Sequence, residues 1–217
     1  MIYKTTTFVS AGSSPVNEDN LAYSQWENGG IWAAAEGYGD EGRGEHASDK
    51  AVSEAIETFT AGGKLTQKSV EQGIKAISSA VGEGGGAASL GCLWIVEDRI
   101  RFFTVGNVMI LRFRDHMVSE KSLNGKGSSA GIRNRKNLLG NHPELFVSKE
   151  ISAEPGDAFV ICTDGLWKNM NDLEMTFDRL KSKNEAEWVN AMVKRAFMKT
   201  GPREYKDSVS VIVVKII

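Results

Sequence analysis

Short runs of alternating or wholly apolar residues dominate the chain, and most have the length of a β-strand. They cover residues 3–9, 20–25, 31–35, 89–96, 99–105, 108–114, 144–150, 157–163 and 208–216. β-Branched and aromatic residues are frequent in these runs, which is typical of strands. The short links around 97–98 and 106–107 predict that the runs 89–96, 99–105 and 108–114 form a meander of antiparallel strands.

Apolar residues recur at helical spacing in four longer segments, with charged residues on the opposite face. These segments are 43–60, 66–80, 172–181 and 184–199, and glycine-rich loops are predicted at 82–88 and 124–131. Strands and helices do not alternate regularly, so a doubly wound parallel sheet is excluded. The order predicts an α+β fold in which helix pairs cover antiparallel sheets, within one domain spanning 1–217.

Composition narrows the class of protein without naming a function. The 217 residues include 41% hydrophobic residues and carry a net charge of −2, which favours neither nucleic acid nor an anionic membrane as a partner. Cys92 and Cys162 each lie inside an apolar run, as buried free thiols do. No stretch approaches eighteen apolar residues, and the start lacks the pattern of a signal peptide. We therefore expect a cytoplasmic protein.

Charge is distributed unevenly along the chain. Residues 10–60 hold ten acids and two bases, whereas residues 121–136 hold five bases and no acid. Such segments are usually solvated surface. The alternative is an acidic cluster that binds divalent metal and a basic loop that meets an anionic substrate.

Acidic residues stand at the ends of predicted strands in four separate places. Glu18 and Asp19 precede the second strand, Glu36 ends the third, Asp164 follows the apolar run "FVIC", and Asp207 precedes the last strand. Carboxylates that converge from several strand ends suit a hard cation such as magnesium or manganese. Each acid–glycine pair, taken alone, is also a common turn. The recurrence at four strand ends favours the metal site.

The ordered set of motifs resembles the metal-dependent protein phosphatases of type 2C, in their compact bacterial form. The matching stretches are Asn17-Glu18-Asp19, Glu36-Gly37, Gly44-Glu45-His46-Ala47-Ser48, Ala88-Ser89-Leu90, Gly106-Asn107, Leu139-Gly140, Pro155-Gly156-Asp157, Thr163-Asp164-Gly165-Leu166 and Asp207-Ser208. No single motif is specific, but the set runs in the family's order along nearly the whole chain.

The resemblance implies a fold, a metal site and a reaction. The fold is a central β-sandwich flanked by helix pairs, with two magnesium or manganese ions in a cleft at one end. The implied ligands are Asp19, Glu36, the Gly37 carbonyl, Asp164 and Asp207, with Glu18 close behind them. The implied reaction is attack of a metal-activated water on phosphoserine or phosphothreonine of a protein substrate.

Four positions depart from the family pattern at that site. Ser14 replaces an arginine that clamps substrate phosphate, and a serine cannot make that bidentate contact. Glu36 replaces the bridging aspartate and is one methylene longer. Asn107 and Lys168 replace two acids of a third, weaker metal site, and this changes the local charge by about +3. The resemblance therefore implies that the third ion is lost.

Two functions remain open at this point. In the first, a two-metal centre survives and hydrolyses phosphoprotein substrates at a reduced rate. In the second, the chain is a pseudophosphatase that keeps the fold and acts as a binding or regulatory module for a protein partner. An unrelated α+β protein with chance Asp-Gly turns is a third reading, and the ordered motifs argue against it.

Overall fold

A computed structural model describes residues 1–60, 64–122, 137–200 and 207–217. Its strands are β1 (Tyr3–Ser10), β2 (Asp19–Trp26), β3 (Gly29–Tyr38), β4 (Ala87–Val96), β5 (Arg99–Val105), β6 (Met109–Arg114), β7 (Met117–Lys121), β8 (Leu145–Val147), β9 (Ile151–Ser152), β10 (Ala158–Cys162) and β11 (Val209–Ile216). Its helices are α1 (Arg43–Thr60), α2 (Gln67–Glu83), α3 (Asp164–Trp167), α4 (Asp172–Lys181) and α5 (Glu185–Lys199).

The strands form two antiparallel sheets. The first has the order β1-β11-β10-β6-β7, and the second has the order β2-β3-β4-β5-β8 with β9 also paired to β5. Strand β11 thus lies inside the first sheet, between β1 and β10, although it is the last element of the chain. This arrangement brings the Asp164 end of β10 beside the Asp207 end of β11.

The two sheets pack face to face, and each is covered on its outer face by helices. Trp32 and Phe102 of the second sheet meet Phe159 and Ile212 of the first sheet in the central core. A second core lies between the second sheet and α1 and α2, and a third lies between the first sheet and α4 and α5. The four layers confirm the predicted α+β fold of a β-sandwich flanked by helix pairs.

The wholly apolar run over residues 31–35 of β3 follows from this layering. Ile31 and Ala33 face the helices, whereas Trp32 and Ala34 face the other sheet, and all four side chains are fully buried. A strand that is covered on both faces carries no alternating polar residues. The run "IWAAA" therefore marks a central strand of a sandwich.

The predicted helix over 43–60 matches α1, and the other three match within a few residues. Side chains cap the starts of three helices: Thr66 accepts a bond from Ser69 N–H, Asn171 forms a capping box with Glu174, and Asn184 caps α5.

The predicted meander is wrong at its third strand. Strands β4 and β5 pair as expected. Strand β6, however, belongs to the first sheet, where it pairs with β10 and β7. The predicted loop over 82–88 is shorter than expected, because α2 extends to Glu83 and β4 begins at Ala87. Strands β7 and β9 and helix α3 were not predicted. The predicted loop over 124–131 lies outside the described residues.

Two further expectations concern the thiols and the membrane. Cys92 and Cys162 are free and fully buried, as predicted. Among the described helices, none has the length and apolar character needed to cross a membrane.

Candidate metal centre

Asp19 and Glu36 face each other across the β2–β3 pair. Asp19 is the first residue of β2, and the antiparallel register places it directly opposite Glu36 near the end of β3. Glu36 also lies opposite Ser89 of β4. The Asp19 side chain is buried, with 5% of its surface exposed. Antiparallel pairing thus brings together two carboxylates that are seventeen residues apart in sequence.

Asp164 reaches the same place from the first sheet. It follows β10 as the first residue of α3, and its side chain is buried. The preceding Thr163 links the two sheets, because its hydroxyl donates to Asp19 Oδ2 at 2.8 Å and accepts from Ser210 N–H at 3.0 Å. Thr163 is a site residue that the sequence analysis did not single out, although its hydroxyl position beside Asp164 in the matched motif was a usable signal.

Asp207 approaches from the start of β11. Its side chain is exposed, and its Oδ1 accepts a hydrogen bond from Ser208 N–H at 3.0 Å. Its charge acts on Asp19, Glu36 and Asp164. The four predicted acids from three strands and one helix therefore share one end of the sandwich.

Two glycines allow this close approach of the backbone. A side chain at Gly37 would collide with the carbonyl of Gly44 at the start of α1, and one at Gly165 would collide with the carbonyl of Ser208. The Gly37 N–H also donates to the Glu18 carbonyl at 2.8 Å. The glycine after Glu36 and the one after Asp164 are thus required by packing at the strand ends.

Crowding of buried carboxylates changes their protonation. Burial raises the pKa of Glu36 well above its usual value, and the Asp164 charge adds to the rise. Burial also raises the pKa of Asp19 to about 7, although hydrogen bonds from Thr163 and Ser210 oppose the shift. For Asp164, burial again raises the pKa, against the opposing effect of Lys168. The cluster is short of positive charge.

One oxygen of this cluster has no hydrogen-bond partner. Glu36 Oε2 is buried and is not bonded to any described residue. A buried carboxylate oxygen without a donor costs free energy unless a cation or another donor meets it. Together with the other acids, it offers the all-oxygen donor set that magnesium and manganese prefer. The residues present therefore fit a divalent cation in their chemistry.

The side chains as placed do not enclose an ion. In the described ranges, no group of three or more His, Cys, Asp or Glu side chains is close enough together to hold one. Lys168 Nζ lies 2.5 Å from Asp164 Oδ2 and so takes up one oxygen of the cluster. The Lys168 side chain is 35% exposed and lies near the ring of neighbouring Trp167. A cation at this place would share the Asp164 carboxylate with Lys168.

Comparison with known proteins identifies the family. The family model for protein phosphatase 2C matches residues 11–198. The chain belongs to the protein phosphatase 2C family. A comparison with curated proteins gives no match.

Solved phosphatase structures share the fold over their whole length. The serine/threonine phosphatase PstP/Ppp of Mycobacterium tuberculosis is 19% identical, with a TM-score of 0.80 over 100% of this chain and 99% of that chain. PppA of Pseudomonas aeruginosa is 20% identical, with a TM-score of 0.79 and the same coverage. The catalytic domain of PstP, solved with two manganese ions, is 18% identical, with a TM-score of 0.78 over 99% of this chain and 98% of that chain.

The four positions at which the sequence analysis expects departures from the protein phosphatase 2C pattern lie in different surroundings. Glu36 and Lys168 are in the carboxylate cluster described above. Asn107 lies in the β5–β6 link, where its Nδ2 donates to the Tyr38 hydroxyl at 3.1 Å. Ser14 lies in the β1–β2 link, where its hydroxyl accepts from Val16 N–H at 3.3 Å. The Ser14 hydroxyl thus makes a local hydrogen bond within the β1–β2 link.

Two predicted features remain for further comment. The Glu18 carboxylate packs against Gly44 at the start of α1, next to the cluster. Most of the basic run 121–136 lies outside the described residues; Lys121 belongs to β7 and pairs with Asp172 at 3.0 Å. The role of the basic run therefore stays a prediction.

Proposed function

We propose that this protein is a metal-dependent phosphatase of phosphoserine and phosphothreonine in proteins, with a lower turnover than its family relatives. The observation that carries the proposal is the convergence of Asp19, Glu36, Asp164 and Asp207 at one end of the sandwich. The raised pKa values of Asp19, Glu36 and Asp164 and the unpartnered Glu36 Oε2 support a bound cation. Membership of the protein phosphatase 2C family and the two manganese ions in PstP support the same choice.

We assign the four carboxylates and the Gly37 carbonyl as ligands of two magnesium or manganese ions. Such ions supply charge stabilisation and an activated water for attack at phosphorus. Thr163 holds Asp19 in place through its 2.8 Å hydrogen bond, and Ser210 N–H holds Thr163 in turn. Glu18 and Gly44 bring the start of α1 against the Glu36 end of β3.

The substitutions account for reduced turnover. Ser14 brings no positive charge to the substrate phosphate, whereas the family arginine does. Lys168 competes with a cation for Asp164. Lys168 and Asn107 together disfavour a third ion, because an ammonium and an amide stand where the family has two acids.

A regulatory module is the second candidate. The observation that favours it is the Lys168–Asp164 ion pair, which fixes a ligand of the proposed centre to a side chain of the protein itself. In this case the chain binds a phosphorylated or regulatory protein partner and releases no phosphate. Both candidates are compatible with a cytoplasmic protein that binds neither nucleic acid nor membrane.

A manganese-dependent phosphopeptide assay separates the two candidates. We expect slow phosphate release that requires manganese and is lost in Asp164→Asn, while Asp115→Asn, an exposed acid in the β6–β7 turn, keeps the parent rate. Calorimetry on the same proteins reports manganese binding independently of turnover. Binding without phosphate release supports the regulatory module. Absence of manganese binding by the parent protein overturns both candidates.

A further inference from the structure

Tyr38 lies beside the proposed metal centre and belongs to a hydrogen-bond network that the family motifs do not describe. It follows Glu36 by two residues on β3, so both side chains leave the same face of the strand. Its hydroxyl lies 3.2 Å from Ser89 Oγ and 3.1 Å from Asn107 Nδ2. Ser89 is the residue directly opposite Glu36 in the β3–β4 ladder.

The directions of the hydrogen bonds follow from the donors available. Asn107 donates twice, from its backbone N–H to Ser89 Oγ at 3.0 Å and from Nδ2 to the Tyr38 oxygen. Ser89 is fully buried, and among the described residues the acceptor for its own hydrogen is the Tyr38 oxygen. The Tyr38 oxygen therefore receives two hydrogens, which leaves its own hydrogen free to donate elsewhere.

Glu36 is the carboxylate beside this hydrogen, because Tyr38 and Glu36 share one face of β3 and the Ser89 that contacts the Tyr38 hydroxyl lies directly opposite Glu36. The Tyr38 hydroxyl interacts with the Glu36 carboxylate and lowers its pKa, against the larger upward effect of burial. The unpartnered Oε2 belongs to the same carboxylate. The Glu36 carboxylate thus has a hydroxyl beside it and one oxygen, Oε2, without a hydrogen-bond partner among the described residues.

The network also ties Tyr38 to the opposite side of the centre. The Asn107 carbonyl accepts a hydrogen bond from Trp167 Nε1 at 2.7 Å. Trp167 ends α3, the helix that begins with Asp164. The chain of contacts therefore runs from the Glu36 strand, through the β5–β6 link, to the helix that carries Asp164.

We propose that Tyr38 is a positioning residue for the metal centre: its hydroxyl, held by Ser89 and Asn107, orients the Glu36 carboxylate so that Oε2 points to the cation. This inference rests on the proposed metal centre but not on turnover. It assigns Asn107 to the support of Tyr38, which gives the amide at this position a role of its own. A hydrogen-bonding partner behind a metal ligand typically changes metal affinity by about 10- to 100-fold when removed.

Calorimetric titration with manganese tests the role of Tyr38. We expect Tyr38→Phe, which removes only the hydroxyl, to raise the manganese dissociation constant by about 10-fold or more. The matched control, Tyr23→Phe, changes an exposed tyrosine on β2 and should bind manganese like the parent. The electron paramagnetic resonance spectrum of bound manganese should change in Tyr38→Phe and stay the same in Tyr23→Phe.

A double-mutant cycle shows whether Tyr38 acts through Glu36. In the Glu36→Asp background, the shorter carboxylate no longer reaches the hydroxyl, so adding Tyr38→Phe should cause no further loss of affinity. Equal losses in both backgrounds, or parental affinity in Tyr38→Phe, overturn the role of Tyr38 while the metal centre stands. Failure of the parent protein to bind manganese overturns the metal centre itself.

Discussion

The two ends of strand β10 place buried acids in opposite electrostatic surroundings. Asp157 precedes the strand and is 1% exposed, yet two arginines meet it: Arg114 Nε lies 2.9 Å from Oδ1, and Arg112 Nη2 lies 2.7 Å from Oδ2. Asp164 follows the strand and lies among three other carboxylates. Of the described lysines and arginines, Lys168 alone pairs with any acid of that cluster.

The pKa values of the buried acids shift in opposite directions at the two ends of β10. Burial by itself raises the pKa of Asp157, but hydrogen bonds from Arg114 and Arg112 outweigh it and the net shift is downward. At the other end, burial and neighbouring charges raise the pKa values of Glu36, Asp19 and Asp164. A buried charge is tolerated when its counter-charge is built into the fold. The Asp164 end has too few such charges, and this shortage is the physical argument for a cation from solution.

The largest expected effect is on stability at the paired end. Asp157→Asn should lower the free energy of unfolding at pH 7 by about 3–5 kcal/mol, because Arg112 and Arg114 lose a shared buried counter-charge and Arg112 keeps only the partly exposed Glu120. Urea denaturation measures the loss. Because the pKa of Asp157 is lowered in the folded protein, its contribution is present above the unfolded pKa of about 3.9 and is lost as pH falls through the folded value.

The stability loss in Asp157→Asn should therefore shrink towards pH 3. Manganese affinity should be unchanged, since the other end of β10 holds the proposed ligands. Asp115→Asn, at an exposed acid near the same end, serves as the control. If Asp157→Asn were as stable as the parent at pH 7, the ion pairs of Asp157 with Arg112 and Arg114 would not stabilise the fold.

The second prediction concerns Asp19, whose substitution should raise the stability of the metal-free protein and not lower it. Its pKa is raised to about 7 in the folded protein, so metal-free stability falls as pH rises from the unfolded value of about 3.9 towards 7. Asp19→Asn cannot ionise and escapes this cost. At pH 8 the metal-free variant should be more stable than the parent by roughly 2–4 kcal/mol, since each pKa unit corresponds to about 1.4 kcal/mol.

Thermal or urea unfolding in a chelator, at pH 4 and pH 8, measures the effect of Asp19→Asn. At pH 4 the two proteins should differ little. Excess manganese at pH 8 should stabilise the parent and leave the variant nearly unchanged. Equal stability at pH 8 without metal would show that the carboxylate cluster carries no excess of negative charge.

Local pattern was enough to predict most of the strands and helices and the acids of the site. The apolar run of β3, buried on both faces, and the 3.6-residue period of α1 are properties of adjacent residues, and both were predicted correctly. The positions of Asp19, Glu36 and Asp164 at strand ends were likewise readable. The sheet to which β6 belongs depends on its pairing with β10, about fifty residues away, and local pattern does not encode such a partner.

Contacts across the site could not be predicted either, because they join residues that are far apart in sequence. Thr163 reaches Asp19 over 144 residues of chain, and Asn107 reaches Tyr38 over 69. The four-residue helix α3 is too short to show a helical period, so the sequence pattern predicts no helix there. Its helical form brings Lys168 four residues after Asp164 onto the same side, where the ion pair forms. The sequence placed Lys168 near the site without showing that it binds a ligand.

The smallest expected effect concerns Lys168, which supplies positive charge at the Asp164 end of β10. If Lys168 competes with a cation for Asp164, then Lys168→Met should tighten manganese binding by about tenfold, or about 1.4 kcal/mol. Lys168→Asp combined with Asn107→Asp restores two carboxylates and should raise both the number of manganese ions bound per chain and the metal-dependent phosphatase rate, because the added negative charge outweighs the loss of the Asn107 donor to Tyr38. Calorimetry gives affinity and stoichiometry, and Lys194→Met, an exposed lysine of α5, is the control. Unchanged affinity in Lys168→Met would mean that the ion pair is incidental. The proposed low turnover would then have to come from the absence of an arginine at Ser14 or from the length of Glu36.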